Sequence, residues 1–383
     1  MSGATRSGAR FRIPRDLHPV AWWCWAIGLA VGASCTTNPL VLGLLVAVAC
    51  LVVFSCRGDQ PWARSFRLYL WLAVLVLVIR ILFRVLVGGN DAGHVLVSLP
   101  EVPLPDWAAG ISLLGPLSRE ELLAAVYEGL RLSTLLLTVG AANALANPKR
   151  LMKSLPPALY EIGTAMVVAI TVVPQLADSA RRVRAAQQLR GGERGRVRGL
   201  RRLLVPILED AFERSLSLAA GMDARGYGRA GAVTAGQRRS TGALMILGLL
   251  GICVGVYAFL DSTAPRLLAG PMLALGSACA LAGFAVAGRR VRRTRYRPET
   301  WRVPELLVAL SGVAAGAGLW AVQRWDPLAA HPGVLVAPPL ALGAVAAVLC
   351  GLLPVWAAPP PLTATSRGEL AVPEVEREAV AVP

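Results

Sequence analysis

The sequence predicts an all-α, polytopic membrane protein of about eight spans, with an amphipathic helical segment on the cytoplasmic side. Of its 383 residues, 55% are hydrophobic and only 16% are charged, whereas soluble domains carry about 25% charged residues. Several apolar runs reach about 20 residues, the length that crosses the hydrocarbon core of a bilayer. These observations exclude an ordinary soluble enzyme.

Eight apolar runs are the predicted spans. The first follows four arginines and is expected to remain uncleaved, because a second run begins directly after Asn38 and Pro39. A further run near 156–176 is interrupted by prolines, among them Pro174, and is expected to lie in or along the cytoplasmic half of the membrane. The eight predicted spans fall near 19–35, 38–56, 66–88, 121–146, 242–260, 267–288, 304–322 and 334–357.

The distribution of basic residues predicts the orientation. Cytoplasmic loops of membrane proteins carry an excess of lysine and arginine. The net charge is +16, and residues 181–239 alone hold fourteen arginines, whereas residues 89–118 hold no lysine or arginine. If eight spans cross the plasma membrane with both termini in the cytoplasm, every basic loop lies on the cytoplasmic side. A full span at 156–176 would place the fourteen arginines outside.

Four segments are expected along the chain. Residues 1–147 would form about four N-terminal spans, and residues 148–240 would form cytoplasmic or interfacial helices. Residues 241–357 would add about four C-terminal spans. Residues 358–383 are rich in proline and glutamate, a composition that cannot bury a core, and are expected to be a disordered tail.

Neither catalysis nor a bound cofactor is expected from the motifs. The seven cysteines form no CxxC pair, and the three histidines are far apart without the spacing of metal ligands. The HExxH and GxSxG signatures and the P-loop are also absent from the sequence. Because the arginines lie in short segments between apolar runs, they indicate membrane topology and not a nucleic-acid surface.

Two helices with similar endings are predicted between the fourth and fifth spans. One runs from Pro174 to Arg190, and the other starts near Leu200 and keeps helical spacing of apolar residues for about six turns. Each ends in arginine followed by glycine, at Arg190-Gly191 and Arg225-Gly226. Glycine after the last turn accepts the left-handed conformation that stops a helix, and the planar guanidinium can bind carbonyls or carboxylates of another protein.

These residues resemble the transmembrane T component of energy-coupling factor (ECF) transporters, the CbiQ-like family. Members have paired Ala-Arg-Gly motifs at the ends of two cytoplasmic coupling helices. The second motif is a close match, whereas the first has Leu189 where alanine is usual. The resemblance covers roughly residues 120–260 and rests on Gly129-Leu130-Arg131, Asn147-Pro148, Leu155-Pro156, Val173-Pro174, Ala186-Gln187, Arg190-Gly191, Glu213-Arg214-Ser215 and Met222-Asp223-Ala224-Arg225-Gly226-Tyr227.

The resemblance implies a coupling subunit that performs no hydrolysis itself. It would join two cytoplasmic ABC-type ATPases to a substrate-binding S component in the membrane, for uptake of vitamins or of nickel or cobalt ions. The family pattern ends about one span after the second motif, so the last two spans are expected to form an appended hairpin. The residues expected to dock the ATPases are Arg190, Gly191, Ala224, Arg225 and Gly226, supported by Ala186, Gln187, Met222 and Asp223.

Two other functions remain open. Charged residues within membrane spans are costly and often have a function. The alternative function is therefore a proton-coupled carrier that uses Arg80, Arg84 and Glu128. For Glu128, an i,i+3 pair with Arg131 is the expected structural role. The basic stretch 190–202 is additionally expected to attract anionic lipid.

Overall fold

The structure is a computed structural model of the whole chain. It describes residues 15–87, 94–98, 100, 102–103, 112–154, 156–189, 196–227, 234–261, 265–290 and 300–361. The described residues are mainly helical, as predicted. In chain order the helices are α1 (Pro19–Ser34), α2 (Pro39–Cys56), α3 (Phe66–Leu86), α4 (Arg119–Leu145), α5 (Pro148–Lys153), α6 (Tyr160–Leu189), α7 (Arg196–Ala224), α8 (Ala235–Leu260), α9 (Arg266–Arg290), α10 (Val303–Trp325), α11 (Pro327–Ala330), α12 (Leu342–Cys350) and α13 (Pro354–Ala357).

Short strands that the sequence did not predict lie between α3 and α4. Strand β1 (Val95–Ser98) pairs antiparallel with β4 (Pro116–Ser118). Strand β2 (Val102–Pro103) pairs antiparallel with β3 (Ser112–Leu113). Because each pairing involves only two or three residues a side, these strands are local connections and leave the helical class unchanged.

Among the described residues, seven helices are long and apolar enough to cross a membrane. Six of them correspond to predicted spans, and the seventh, Glu161–Leu189 in α6, covers the run that was expected to lie along the cytoplasmic half. Two predicted spans are shorter apolar helices, Pro19–Ser34 and Leu342–Ala357. The prediction of one span over 334–357 was wrong, because residues 334–341 before α12 are not helical.

Helix starts follow local sequence signals. Asn38 precedes a proline at the first turn of α2, and its side chain accepts a hydrogen bond from the Leu40 N–H at 3.0 Å. Ser118 caps α4 in the same way through the Glu121 N–H at 3.3 Å, with acidic residues in the first turn. A side-chain oxygen at this position accepts a hydrogen bond from an amide that has no partner within the helix. The capping residues Asn38 and Ser118 therefore explain why the two helices start where they do.

The chain divides into two compact units. The first comprises Met1–Leu151 with Glu299–Pro383, and the second comprises Met152–Pro298. In the first unit α1 packs against α10 and α4, while α2 packs against α4 and α12. Trp25 and Leu29 of α1 are fully buried there. The backbones of α1 and α10 touch at Gly28 and Gly312, where a β-carbon on Gly28 would overlap the Gly312 carbonyl group.

Polar contacts join the two ends of the chain within the first unit. The buried Asn38 side chain donates hydrogen bonds to the carbonyl oxygens of Ala329 and Pro339 at 3.1 and 2.7 Å. The indole N–H of Trp25 donates to the Gly351 carbonyl at 3.0 Å. Helices α10 and α12, which the sequence analysis expected to form an appended hairpin, pack on each other and also against α1 and α2, so they belong to the core of this unit.

The second unit contains α6 to α9. Helices α8 and α9 pack closely together, and a β-carbon on Gly251 would lie only 2.8 Å from the Gly276 Cα. Small residues allow such close approach of helices in a membrane, where packing and not water exclusion drives association. The four-segment division predicted from the sequence concerns membrane topology and remains a prediction.

Candidate docking site

Helix α6 carries the approach to the first motif. It is a single helix from Tyr160 to Leu189 that continues through Pro174, so the prediction that Pro174 separates two helical segments was wrong. Proline in a helix removes one amide donor and strains the preceding turn without necessarily ending the helix. In the last turns Ala186 is exposed and Gln187 partly exposed. Arg190 and Gly191, predicted from the sequence to dock an ATPase, lie outside the described residues.

Helix α7 is the second predicted amphipathic helix. It begins at Arg196, earlier than the expected Leu200, and runs through Pro206 to Ala224. Its partly buried positions in the first half are Leu203, Ile207, Asp210 and Ala211. Their spacing places them on one face, and α7 packs against α6.

The last turns of α7 and the three residues after it (residues 212–227, the exposed end of α7) have little cover from the described residues. Every residue from Phe212 to Tyr227 is exposed except Met222, which is partly buried. Phe212 and Leu216 lie one turn apart and are 66% and 70% exposed. Bulky apolar side chains on an exposed helix that also carries charged residues are typical of a surface that binds another protein or a membrane.

The backbone beyond Ala224 stops the helix as the second motif predicts. The Tyr227 N–H donates a hydrogen bond to the Met222 carbonyl at 3.0 Å, and the Gly226 N–H donates to the Asp223 carbonyl at 2.9 Å. Gly226 has φ of +75°. This pair of bonds with a left-handed residue is a Schellman motif, so the predicted stop at Gly226 is confirmed.

Arg225 is presented at the surface by this ending. It is the last residue before the left-handed glycine, and it is exposed together with Asp223 and Ala224. A β-carbon on Gly226 would meet no atom within 4 Å, so the surroundings of the motif are open. A guanidinium at the carboxyl end of a helix is favoured by the helix dipole and is free to reach a partner's carbonyls or carboxylates.

A polar cluster joins α6 to α7 and was not predicted from the sequence. We name it the Asp210 cluster, comprising Ser179 and Arg182 of α6 and Asp210 and Arg214 of α7. Arg214 Nε donates a hydrogen bond to Asp210 Oδ1 at 2.9 Å, and Arg182 Nη2 lies 3.7 Å from Asp210 Oδ2. A hydrogen bond from Ser179, followed by the Arg214 bond, holds the pKa of the Asp210 carboxyl below its ordinary value.

The charges of the carrier alternative are paired with one another in the first unit. Arg80 of α3 forms an ion pair with Glu128 of α4, and Arg84 forms one with Glu121. The expected local pair between Glu128 and Arg131 was wrong, because Arg131 donates to the Ser34 carbonyl at the end of α1. These contacts join α3 to α4 and α4 to α1, which favours a structural role for the intramembrane charges.

Comparison with known proteins adds a family and a set of relatives. Residues 11–234 match the CbiQ family, described as cobalt transport protein. The match includes both predicted motifs and ends one residue before α8 begins. Helices α8 to α13 therefore lie outside the matched region.

The similar curated proteins are energy-coupling factor transporter transmembrane proteins, EcfT. The protein of Listeria innocua is 29% identical over 197 residues, which are 49% of this chain and 67% of that protein. The protein of Streptococcus thermophilus is 28% identical over 196 residues, which are 50% of this chain and 60% of that protein. The protein of Exiguobacterium sibiricum is 32% identical over 105 residues, which are 24% of this chain.

Coverage of the relatives differs widely. This chain spans 40%, 45% and 34% of the lengths of the relatives from Exiguobacterium sibiricum, Streptococcus equi and Macrococcus caseolyticus. The chain therefore spans less than half the length of these three relatives, whereas the family match extends over more than half of this chain.

Proposed function

The chain belongs to the CbiQ family, and on that basis we propose that it is the transmembrane T component of an ECF transporter, coupling ATP hydrolysis by partner subunits to substrate uptake. The observation that carries this proposal is the ending of α7. There a Schellman motif at Gly226 leaves Arg225 exposed at the end of a helix with uncovered apolar side chains.

Two ABC-type ATPases are the proposed cytoplasmic partners, one for each motif. The first motif precedes α7 and the second ends it, and α7 has 29 residues, or about 43 Å of helix at 1.5 Å per residue. This length supports separate docking sites, with Arg190 and Arg225 each entering a groove of one ATPase. The chain itself is proposed to perform no hydrolysis.

A substrate-binding S component in the membrane is the third proposed partner. Closure of the ATPases on ATP would move α6 and α7, and this movement would change the orientation of the S component. The transported substrate would be a vitamin or a nickel or cobalt ion, chosen by the S component. Anionic lipid is proposed as an additional ligand of the basic stretch 190–202, by attraction between arginines and lipid phosphates.

The proposed location is the plasma membrane, with both termini in the cytoplasm. The support is the asymmetry of basic residues, since fourteen arginines lie in residues 181–239 and residues 89–118 contain no lysine or arginine. This orientation keeps the exposed end of α7 on the side where ATP is available.

The test is co-purification of the tagged full chain with the ABC ATPases of its host. Wild type should recover an ATPase pair, and Arg190→Ala/Arg225→Ala should lose it. The control is Arg196→Ala/Arg198→Ala, which removes two arginines from the basic stretch without touching either motif. Equal losses from both double variants would indicate general electrostatic attraction.

Recovery of wild type without any ATPase, under conditions that preserve such complexes, would contradict the proposal. Variants of Arg80, Arg84 and Glu128 would then test the carrier alternative through proton-coupled uptake. An intact ATPase complex in the Arg225→Ala single variant would instead remove the second motif from the docking site.

A further inference from the structure

Ser179 has an unusual environment in the second unit. Among the described residues of that unit it is the one buried polar side chain, with 3% of its surface exposed. A buried hydroxyl is costly unless it is hydrogen-bonded, and its partner is the Asp210 carboxylate across the helix pair. The contact therefore lies where α7 meets α6.

Side chains of both helices bind Asp210. Ser179 of α6 hydrogen-bonds to it and Arg182 of α6 forms an ion pair with it at 3.7 Å, whereas Arg214, one turn further along α7, donates a hydrogen bond at 2.9 Å. Charge-assisted hydrogen bonds are shorter and stronger than neutral ones and are directional. A carboxylate held by donors from two helices restrains their relative rotation more than apolar contact alone.

The restraint acts on the exposed end of α7. Ala224 lies fourteen positions after Asp210, which is about 21 Å of helix. A rotation of about 10° at Asp210 would thus displace the second motif by roughly 4 Å, given the rise of 1.5 Å per residue. Since residues 212–227 have so little cover of their own, the contact at Asp210 affects the direction of this end.

We propose that Asp210 is a positioning residue that fixes the crossing of α7 on α6 and thereby aims Arg225 at its partner. This inference rests on the proposed docking of Arg225 into an ATPase. Asp210 does not touch the ATPase. It acts through the direction of the helix.

The first experiment measures that direction in the full chain. Nitroxide labels are attached at Gln188→Cys in α6 and Ser217→Cys in α7, after the seven native cysteines are replaced by alanine. Both label positions are exposed. Pulsed electron paramagnetic resonance then gives the distribution of distances between the two labels in detergent-solubilised protein.

Asp210→Ala is expected to broaden this distribution, and Ser179→Ala to broaden it less. The double variant should be no broader than Asp210→Ala, because both residues act in one contact. Glu209→Ala is the matched control, since Glu209 is the adjacent exposed carboxylate and the same residue is introduced. Asp210→Asn keeps the size and an acceptor for Ser179 but removes the charge, and should give an intermediate width.

The second experiment connects position to docking. Recovery of the ATPase pair by Asp210→Ala should fall roughly fivefold, as expected for losing a net hydrogen-bond contribution. Arg225→Ala should then lower recovery less in the Asp210→Ala background than in wild type, because a wrongly directed Arg225 already makes fewer contacts with the ATPase. A general loss of stability would not produce that dependence, and gel filtration of each variant identifies any that fail to fold.

The results separate the two proposals. Unchanged distances and recovery in Asp210→Ala, with docking lost in Arg225→Ala, would overturn the positioning role and leave the docking proposal intact. Equal recovery by wild type and Arg225→Ala would remove Arg225 from the proposed docking site, and the positioning role of Asp210 would fall with it. Equal broadening by Asp210→Ala and Glu209→Ala would overturn the assignment of the restraint to Asp210.

Discussion

Gly28 of α1 and Gly312 of α10 lie backbone against backbone, although 284 positions separate them in the sequence. A β-carbon on Gly28 would overlap the Gly312 carbonyl, and one on Gly312 would overlap the Trp25 backbone. Helix α10 lies beyond the region that matches the CbiQ family. The C-terminal helices of this chain are therefore part of the core that holds its family-matched N-terminal helices.

Substitution at this contact should separate α1 from α10. Gly28→Ala and Gly312→Ala are each expected to destabilise the protein by about 1–3 kcal/mol, the usual cost of overpacking. The control is Gly43→Ala in α2, where an added β-carbon meets no atom within 4 Å. Alanine is the better helix former, so this control should be neutral or stabilising. Thermal unfolding in detergent measures the difference, and equal midpoints for all three variants would contradict the close approach.

The ion pair between Arg15 and Glu305 should contribute strongly to the same unit. The two side chains meet at 2.9 and 3.1 Å, and Glu305 is 1% exposed. Arg15→Ala leaves a buried carboxylate without its cation, for which a loss of about 3 kcal/mol is expected. Arg64→Ala removes an exposed arginine and should have little effect. Comparable denaturation midpoints for the two variants would contradict the prediction.

Removal of the C-terminal helices should damage the first unit. A chain ending at residue 298 loses α10 to α13, including the acceptors of the Asn38 and Trp25 side chains. We expect this truncated chain to aggregate on size-exclusion chromatography. A chain ending at Pro361 keeps these helices and lacks only the tail, and it should elute as a single peak. Identical elution of the two chains would show that α10 to α13 are dispensable.

The ending of α7 should depend on glycine at one position only. Gly226 has φ of +75°, where a β-carbon costs roughly 1–2 kcal/mol, so Gly226→Ala should fray the last turn. Gly221 lies within α7 in open space, so Gly221→Ala should instead strengthen the helix. Hydrogen–deuterium exchange of residues 218–227 reports the opposite signs, and recovery of ATPase should fall for Gly226→Ala alone. Faster exchange in both variants would contradict this ending.

Acid should weaken the contact between α6 and α7 only at low pH. The Ser179 and Arg214 hydrogen bonds lower the pKa of Asp210 in the folded state. A lowered pKa stabilises the fold above the unfolded value, about 3.9 for aspartate, and this contribution is lost as pH falls through the folded value. The distance distribution between labels at positions 188 and 217 should therefore be constant from about pH 5 to 8 and broaden well below about pH 4. Asp210→Asn should lack this transition, and a transition near neutral pH in wild type would contradict the assignment.

Local sequence signals predicted much of the fold because they act within one helix. Asn38 and Pro39 start α2, and the glycine at 226 stops α7. Proline was a poorer guide, since Pro174 and Pro206 lie inside continuous helices. A lost amide donor and a strained turn are tolerated when the rest of a long helix remains intact.

The candidate site was predicted in part for the same reason. The ending at Ala224, Arg225 and Gly226 is a local motif, and the structure has it where the sequence predicted. The Asp210 cluster was not predicted, because Ser179 and Asp210 are 31 positions apart and a serine in a helix carries no signal of its partner. The charges within the spans also found partners in other helices, as Arg80 and Glu128 illustrate.

The sequence by itself determined that this is a helical membrane protein, where most of its helices run and how α7 ends, since hydropathy, caps and glycine stops depend on neighbouring residues. Only the tertiary structure decided that α10 completes the core around α1, that Arg131 binds the end of α1 and not Glu128, and that Asp210 joins α6 to α7. Those outcomes depend on which helices meet. Apolar runs of similar composition do not show which helices pack against one another. The backbone contact between two glycines can be seen only when the two distant helices are packed together.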